Sequence, residues 1–313
     1  MTTAAIEPAK GIVGLKGALS YVRAYRDRVF VVKLGGEVLE DVDGLDGVAG
    51  QIALLASLGI RIVVVHGGGS YATKLSRRLG IEPQFVAGRR VTDDATLEVA
   101  TMVYAGQVNV AVLSALREHR VQAVGISGVD GDLLTAHRRP PVTVTDDDGS
   151  VREVDYGHVG DIDRVDPHLL RTLLEARFVP VVASLAGDEE GGVYNVNADT
   201  VAEALAVALT AQKLIFLTGA PGVLRDRNDP ATLVTFADPT DLAELMSSGA
   251  LVGGMRPKVE ACIRAATHGV ERTHIIDGRA PDALLLEVFT GVGCGTMIVG
   301  RKESAALEAD LAD

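Results

Sequence analysis

Aromatic side chains are scarce in this sequence of 313 residues. It contains no tryptophan, six phenylalanines and six tyrosines, although 47% of its residues are hydrophobic. The core must therefore be built mainly from valine, leucine, isoleucine and alanine. A chain of this length can bury such a core in one large α/β domain or in two smaller lobes.

Positive charge is also in deficit. The 30 lysines and arginines are outnumbered by 42 aspartates and glutamates, so the formal net charge is −12. This balance argues against an extended surface for nucleic acid or for an anionic membrane. A phosphate ligand stays possible, because backbone N–H groups and one or two lysines can bind phosphate locally.

Cysteines and long apolar runs are rare as well. The two cysteines, Cys262 and Cys294, form no CxxC pair and no metal-ligand spacing, so we predict ordinary thiols, no metal centre and a cytoplasmic location. No stretch reaches the roughly 18 uninterrupted apolar residues of a membrane span. Near the N-terminus, Lys10 and Lys16 interrupt the apolar core that a signal peptide needs.

Predicted strands and helices alternate along most of the chain. The strands are mostly continuous apolar runs, which is typical of a parallel sheet covered by helices on both faces. We therefore predict an open, mostly parallel α/β sheet between helical layers, with two lobes dividing near 185–192, where AGDEEGG indicates a surface turn. Strands are predicted at 29–34, 61–66, 122–126, 179–184, 213–218 and 273–277, a hairpin at 142–154, and helices at 43–58, 71–79, 93–104, 106–119, 166–176, 199–210, 238–247 and 255–268.

An amphipathic helix is predicted at 12–26, before the first strand. Apolar residues recur there at three- and four-residue spacing: Ile12, Leu15, Leu19, Val22 and Tyr25. One interpretation is that this apolar stripe pairs with another copy of the chain. The alternative is that it packs on its own subunit.

Glycine-containing turns directly follow four apolar strands: KLGG (33–36), HGGG (66–69), SGVDGD (127–132) and TGAPG (218–222). Ligands of open parallel sheets bind outside the C-terminal strand ends, so the four turns predict an extended anion site lined by backbone N–H groups. Tight packing is the alternative. Competing motifs are incomplete, since the chain has no G-x-x-x-x-G-K-[ST], no acidic ribose-binding residue about 20 positions after HGGG, and no G-x-S-x-G nucleophile elbow.

Charged side chains occur beside or near these turns. Lys33 ends the first strand, and Lys258 lies just inside a helix after a Gly-Gly turn, where a cation beside helix N–H groups suits a polyphosphate. Asp199 lies in the first turn of a helix that Asn197 could cap, so it could stabilise that helix or act in catalysis. Arg90 could clamp a carboxylate with its bidentate fork or be a solvated surface charge.

Seven segments share their order and spacing with one known family: VVKLGG, HGGG, GRRVTD, YNVNADT, PGVL, GGMRPKVEA and HIIDGR with LLLEVFTGVGCGTMI. From about Val29 to Val299 the chain resembles the amino acid kinase family, and within it the kinases of N-acetyl-L-glutamate. The resemblance implies an open eight-stranded sheet. It also implies a helical extension at 1–28, a lobe at 29–190 for the amino-acid substrate and dimerisation, and a lobe at 191–313 for ATP.

The reaction implied by the resemblance is phosphorylation of the γ-carboxylate of N-acetyl-L-glutamate by ATP with Mg²⁺, in arginine biosynthesis. Two lysines would flank the transferring phosphoryl group, an aspartate would hold both lysines, and glycines would offer N–H groups. No general base is required, because the attacking carboxylate is already ionised at neutral pH. The implied catalytic residues are Lys33, Lys258, Asp199 and Gly36; the substrate residues are Gly67, Gly68, Arg90 and Asn195; the nucleotide residues are Gly35, Thr218, Gly222 and Val223.

The resemblance also implies regulation. Arginine would inhibit the enzyme by binding at a C-terminal segment, and N-terminal helices would link dimers into a hexamer. The implied arginine-site residues are His274, Glu287, Gly293 and Gly295.

The chain departs from the family pattern at Gly219 and Val129, where Asp or Asn and Lys are common, so we expect different nucleotide contacts there. Two other functions are alternatives. A kinase for aminoadipate on an acidic carrier protein would need a basic docking face, against which the net charge of −12 counts. A catalytically silent sensor of nucleotide or amino acid would not need Lys33, Asp199 and Lys258.

Overall fold

A computed structural model of the protein describes residues 19–145, 151–247, 249, 251, 253–290 and 293–300. The strands in these residues are β1 (Val29–Leu34), β2 (Arg61–His66), β3 (Phe85–Val86), β4 (Arg89–Arg90), β5 (Ala123–Ser127), β6 (Leu134–Arg138), β7 (Val142–Thr145), β8 (Val151–Val154), β9 (Gly160–Val165), β10 (Val179–Ala183), β11 (Leu185–Gly187), β12 (Val193–Asn195), β13 (Lys213–Thr218), β14 (Phe236–Ala237), β15 (Arg272–Asp277) and β16 (Thr296–Val299).

The α-helices are α1 (Gly36–Glu40), α2 (Val42–Ser57), α3 (Gly69–Arg78), α4 (Asp94–Thr101), α5 (Asn109–Glu118), α6 (His168–Glu175), α7 (Ala198–Ala208), α8 (Pro239–Ser247), α9 (Met255–Thr267) and α10 (Ala283–Phe289). A π-helical segment, Met102–Val108, joins α4 to α5. Short 3₁₀ turns occur at Asp130–Asp132 and Pro230–Thr232.

The main sheet has eight strands in the order β14-β16-β15-β13-β1-β2-β10-β5. Strands β15, β13, β1, β2, β10 and β5 run parallel, while β16 pairs antiparallel with β15. The predicted open, mostly parallel sheet of eight strands is confirmed. Its central strands are buried on both faces, which explains their continuous apolar runs.

Separate apolar clusters cover the two faces of this sheet. On one face Phe30 and Val32 pack with Ile52 of α2. On the other face Val31 packs with Leu205 of α7. Since successive side chains of a strand point to opposite faces, Lys33 projects on the same face as Val31, toward the helix α7.

A second sheet of four strands, in the order β12-β11-β6-β9, was not predicted from the sequence. Its strands are short and only partly buried, so they lack the apolar runs that marked the main sheet. The predicted surface turn at 185–192 is wrong at its beginning, because Leu185–Gly187 forms β11 and pairs with β12. The hairpin at 142–154 is confirmed in its two strands, and its DDDG turn lies outside the described residues.

The helices predicted at 93–104 and 106–119 are one continuous run, Asp94–Glu118, interrupted only by a change to π-helical bonding. The separation into two helices was therefore wrong. This run is long and apolar enough to cross a membrane by length and composition. In the fold it is a core helix, since Val99, Val103 and Val112 are buried against the sheet and α2.

Only part of the predicted helix at 12–26 falls among the described residues, where 19–25 are helical. Tyr25 is buried and its ring meets that of Phe30 edge-to-face, with centroids 5.2 Å apart. At this end, therefore, the stripe packs on its own subunit, which is the alternative that the sequence left open. Residues 12–18 lie outside the described part of the chain.

Candidate active site

Two lysines from distant parts of the chain converge on one buried carboxylate. The Nζ atom of Lys33, on β1, lies 2.7 Å from Oδ1 of Asp199. The Nζ atom of Lys258, in α9, lies 3.3 Å from Oδ2 of the same residue and also donates to the Gly254 carbonyl at 3.1 Å. All three side chains are largely buried, with Lys258 the most exposed of them at 16%.

The local sequence places two of these three groups at the beginnings of helices. Asn197 caps α7, and its Oδ1 accepts from the backbone N–H groups of Asp199 and Thr200, which fixes Asp199 in the first helical turn. The predicted cap is confirmed. Lys258 lies in the first turn of α9, so its cation and the N-terminal N–H groups of that helix add positive potential at the same place.

The electrostatics of the cluster are set by the lysines. Burial by itself would raise the pKa of the Asp199 carboxyl, but the charges and hydrogen bonds of Lys33 and Lys258 outweigh burial and hold that pKa below its ordinary value. Asp199 is therefore ionised at neutral pH, and both of its oxygens face a lysine. This arrangement keeps two ammonium groups close together without leaving either charge unpaired.

A small cavity of about 220 Å³ lies beside the cluster. Its lining includes Lys33, Asp199 and the glycine turn after β2, Gly67–Gly69. The three turns KLGG, HGGG and TGAPG lie together, because a Cβ on Gly35 would come within 3.4 Å of Thr218 and one on Gly36 within 4.0 Å of Ser70 Oγ. The fourth turn, SGVDGD, borders a different cavity with Gly187 and Asp188, so the predicted four-turn site contains three turns.

The residues predicted to bind the nucleotide lie around the TGAPG turn, with most of their polar groups already engaged. The Gly35 N–H donates to the Leu217 carbonyl at 2.7 Å, so the expectation that it is free for phosphate is wrong. Thr218 Oγ1 accepts from the Ala220 N–H. Val223 is fully buried, and its N–H donates to Thr296 Oγ1 at 2.8 Å. Gly222 adopts a φ of 153° where a Cβ would meet Thr296.

Arg90 and Asn195 line one larger cavity of about 440 Å³. Arg90 Nη2 donates to the Gly69 carbonyl at 2.8 Å and to Thr73 Oγ1 at 2.6 Å, and its guanidinium lies 4.8 Å from the centre of the Phe85 ring. Its Nη1 is buried and has no hydrogen-bond partner among the described residues. Burial lowers the pKa of Arg90.

Asn195 joins the two cavities, since it lines both of them. Its Nδ2 donates to Thr92 Oγ1 at 3.2 Å. A ligand held by Arg90 in the larger cavity could thus extend past Asn195 to the lysine cluster in the smaller one. The structure therefore brings together the predicted substrate and catalytic residues, which lie on six helices and strands and on the HGGG turn.

The four predicted arginine-site residues also lie together, remote in sequence from the lysine cluster. Glu287 Oε1 accepts from His274 Nδ1 at 2.6 Å, and its Oε2 accepts from the Cys294 N–H at 2.7 Å. Lys213, which the sequence reasoning missed, lies with its Nζ 3.0 Å from His274 Nε2. Gly293 packs against Glu287, and a Cβ there would meet its carboxylate.

Burial of this second cluster shifts its titration. Burial and the charge of Lys213 lower the pKa of His274 to about 4. Burial would raise the pKa of Glu287, but the hydrogen bonds from His274 and Cys294 lower it to about 2. His274 is therefore neutral and Glu287 ionised at pH 7.

The fourth residue of this cluster, Gly295, is required by packing, because a Cβ there would come within 2.4 Å of the Ile275 carbonyl.

Comparison with known proteins identifies the family of the chain. Residues 28–277 match the model of the amino acid kinase family. An acetylglutamate kinase of Myxococcus xanthus (strain DK1622) is 49% identical over 286 residues, which cover 91% of this chain and 93% of that protein.

Among solved structures, N-acetylglutamate synthase from Neisseria gonorrhoeae is similar in two complexes. With coenzyme A and N-acetyl-glutamate it gives a TM-score of 0.77 at 30% identity, covering 92% of this chain and 63% of that chain. The complex with coenzyme A and L-arginine gives a TM-score of 0.75 at 27% identity, and the match covers 92% of this chain and 65% of that chain. This chain thus spans less than two thirds of the synthase. The resemblance found in the sequence is confirmed: the chain belongs to the amino acid kinase family.

Proposed function

We propose that this protein is an acetylglutamate kinase, which transfers the γ-phosphoryl group of ATP to the γ-carboxylate of N-acetyl-L-glutamate in arginine biosynthesis. The observation that carries the proposal is the convergence of Lys33 and Lys258 on Asp199 beside a glycine-lined cavity. The relative from Myxococcus xanthus, which matches over nine tenths of the chain, is an acetylglutamate kinase.

The proposed mechanism depends on charge and position, as phosphoryl transfer generally does. The ionised γ-carboxylate attacks the γ-phosphorus, the bond to the ADP oxygen breaks, and an acyl phosphate forms. Lys33 and Lys258 neutralise the charge on the phosphoryl oxygens, and Asp199 holds both ammonium groups in place. The N–H groups of Gly36, Gly67 and Gly68 supply further donors for those oxygens or for the substrate.

Recognition of the acceptor is assigned to Arg90 and Asn195. Arg90 lines the larger cavity, and its guanidinium is the group that would bind a carboxylate of the acetylglutamate. Asn195, which borders both cavities, would bind the middle of the same molecule. We also propose that the lobe at 29–190 binds the amino-acid substrate and the lobe at 191–313 binds ATP, with Asn195 of the second lobe reaching the substrate and Gly35, Thr218, Gly222 and Val223 shaping the nucleotide side.

Mg²⁺ is the cation we propose to accompany ATP. Among the described residues no group of three or more His, Cys, Asp or Glu side chains could hold a metal ion, and both oxygens of Asp199 face lysines. Magnesium often binds through substrate phosphates and water with few protein ligands, which fits this donor set. Bound in that way, it would withdraw charge from the phosphates.

We further propose that arginine inhibits the enzyme at the cluster of His274, Glu287, Gly293 and Gly295. The support is the similarity to a synthase structure complexed with L-arginine and the presence of a buried carboxylate next to a glycine segment. Because both Glu287 oxygens already accept hydrogen bonds, a guanidinium would have to share or replace one of them. We also propose that the protein assembles in the cytoplasm as a hexamer that is linked through N-terminal helices.

A coupled ADP-release assay tests the function. The purified protein should release ADP with N-acetyl-L-glutamate, and hydroxylamine should trap the acyl phosphate as a hydroxamate. Lys258→Ala should lower kcat by about two orders of magnitude or more. Turnover only with carrier-bound aminoadipate, or no turnover with any acyl amino acid, would overturn the proposal in favour of the aminoadipate kinase or the silent sensor.

Inhibition and assembly need separate measurements. Millimolar arginine should reduce the rate, and light scattering should report a hexamer that becomes a dimer when residues 1–26 are deleted. Full activity in arginine would refute the regulatory part and leave the kinase assignment intact.

A further inference from the structure

The histidine of the HGGG turn is fully buried between two partners. Its Nδ1 lies 2.8 Å from the Gly67 carbonyl oxygen, and its Nε2 lies 3.0 Å from Nδ2 of Asn109, the first residue of α5. Burial, together with the nearby charge of Lys33, lowers the pKa of His66 to about 4. The imidazole is therefore neutral at pH 7, and only one of its nitrogens carries a proton.

The partners of Asn109 decide which nitrogen that is. Asn109 Nδ2 lies 3.1 Å from the carbonyl oxygen of Val181, which can only accept. One hydrogen of the amide is thereby donated to Val181. The second is donated to His66 Nε2 at 3.0 Å, which is closer than the other acceptor near this nitrogen, the Ile126 carbonyl at 3.5 Å. The other atom of the amide group, Asn109 Oδ1, packs against Gly125. A Cβ on Gly125 would come within 1.9 Å of this oxygen. The proton of His66 therefore lies on Nδ1 and is donated to the Gly67 carbonyl.

Fixing this carbonyl also fixes the next backbone donor. The described chain contains no cis peptide bond, and in a trans peptide the C=O and N–H groups point in opposite directions. With the Gly67 carbonyl held toward His66, the Gly68 N–H is directed away from His66, and Gly67–Gly69 line the smaller cavity. Gly68 is the N-cap residue of α3, where N–H groups lack intrahelical acceptors.

The π-helical segment packs against the same turn. The ring of Tyr104, inside that segment, lies where a Cβ on Gly68 would come within 2.6 Å. In an α-helix, side chains five residues apart point about 140° away from each other. The i to i+5 bonding of Met102–Val108 changes this angle, and both Tyr104 and Asn109 reach the HGGG turn.

We propose that Asn109 is a positioning residue, which holds neutral His66 in its Nδ1–H form and thereby aims the Gly68 N–H at the phosphoryl-transfer cavity. The consequence for turnover rests on the proposed kinase function, whereas the protonation of His66 does not. Asn109 acts through His66 and the Gly67–Gly68 peptide.

The test uses the full chain labelled with ¹⁵N-histidine. The spectrum at pH 7.5 should contain one imidazole, absent from His66→Gln, with a protonated Nδ1 and an unprotonated Nε2. Asn109→Asp should move the proton to Nε2 or add a second proton there, because a carboxylate accepts where the amide donated. Asn109→Leu should lower kcat about ten- to a hundredfold while the KM for ATP changes less than about threefold.

The control is Val112→Ala, a buried apolar truncation one turn further along the same helix. It should lower the melting temperature, with the His66 signals and kcat unchanged. A protonated Nε2 in the wild type, or an unchanged His66 spectrum in Asn109→Asp, would overturn the proposal even if that variant were less stable. If the wild type phosphorylated no acetylglutamate, the proposed function would fail while the spectra still decided the role of Asn109.

Discussion

Replacing Asp199 with asparagine is the sharpest perturbation of the lysine cluster, because it preserves shape and removes one charge. At an effective dielectric constant near 20, attraction across 2.7 Å to Lys33 is about 6 kcal/mol, and across 3.3 Å to Lys258 about 5 kcal/mol. Much of this attraction is offset by the cost of burying the charges. Breaking such a buried pair is expected to cost about 3–5 kcal/mol of the free energy of unfolding.

Urea denaturation at pH 7.5 in low and high salt measures this loss. Because the three groups are shielded from solvent, the cost of Asp199→Asn should change little between the two salt concentrations. The ADP-release rate should fall by about a hundredfold or more, since two ammonium groups lose their fixed position.

A surface ion pair provides the matched control. Lys74 and Glu40 are 2.8 Å apart, nearly the distance of Lys33 and Asp199, but their side chains are 65% and 36% exposed. Glu40→Gln should lower the free energy of unfolding by less than about 1 kcal/mol, and this loss should vanish in high salt. If Asp199→Asn cost no more than Glu40→Gln, or retained near-normal turnover, the reasoning about the buried cluster would be refuted.

Three further outcomes are expected. Gly68→Ala should lower kcat at least tenfold, because its Cβ would collide with the Tyr104 ring. The control is Gly80→Ala, at an open position with a strained backbone. Normal turnover in Gly68→Ala would contradict the close packing. Arg90→Ala should raise the KM for acetylglutamate much more than the KM for ATP, and an equal effect would move Arg90 to the nucleotide. The unfolding free energy should fall on acidification: His66 and His274 have pKa values of about 4 when folded against an ordinary 6.5, so the unfolded chain takes up protons first. Their stabilisation is complete above about pH 6.5 and decreases toward pH 4, by about 2 kcal/mol per histidine at pH 5. Urea titrations at pH 7.5 and 5 should show this loss, and His66→Gln should reduce it; equal stability at both pH values would refute it.

The amino-acid sequence by itself determined six of the eight strands of the main sheet. Strands such as Val29–Leu34 are apolar runs in which only Lys33 is charged, and that pattern is a local property that needs no knowledge of neighbours. The same holds for the Asn197 cap, which acts within three residues of chain. The order of short segments from VVKLGG to GGMRPKVEA was enough to indicate the family.

Only the tertiary structure decided which of these features meet. Lys33, Asp199 and Lys258 are far apart in sequence, and their convergence depends on β1 lying next to the helix that carries Asp199. The four-stranded sheet escaped prediction because its strands are short and half-buried, so their alternation is weak. The position of Asn109 next to His66 could not be predicted from the sequence either. A π-helical turn leaves no periodic signal in the sequence, and the amide's contact with His66 arises from residues 43 positions apart being packed at one buried point.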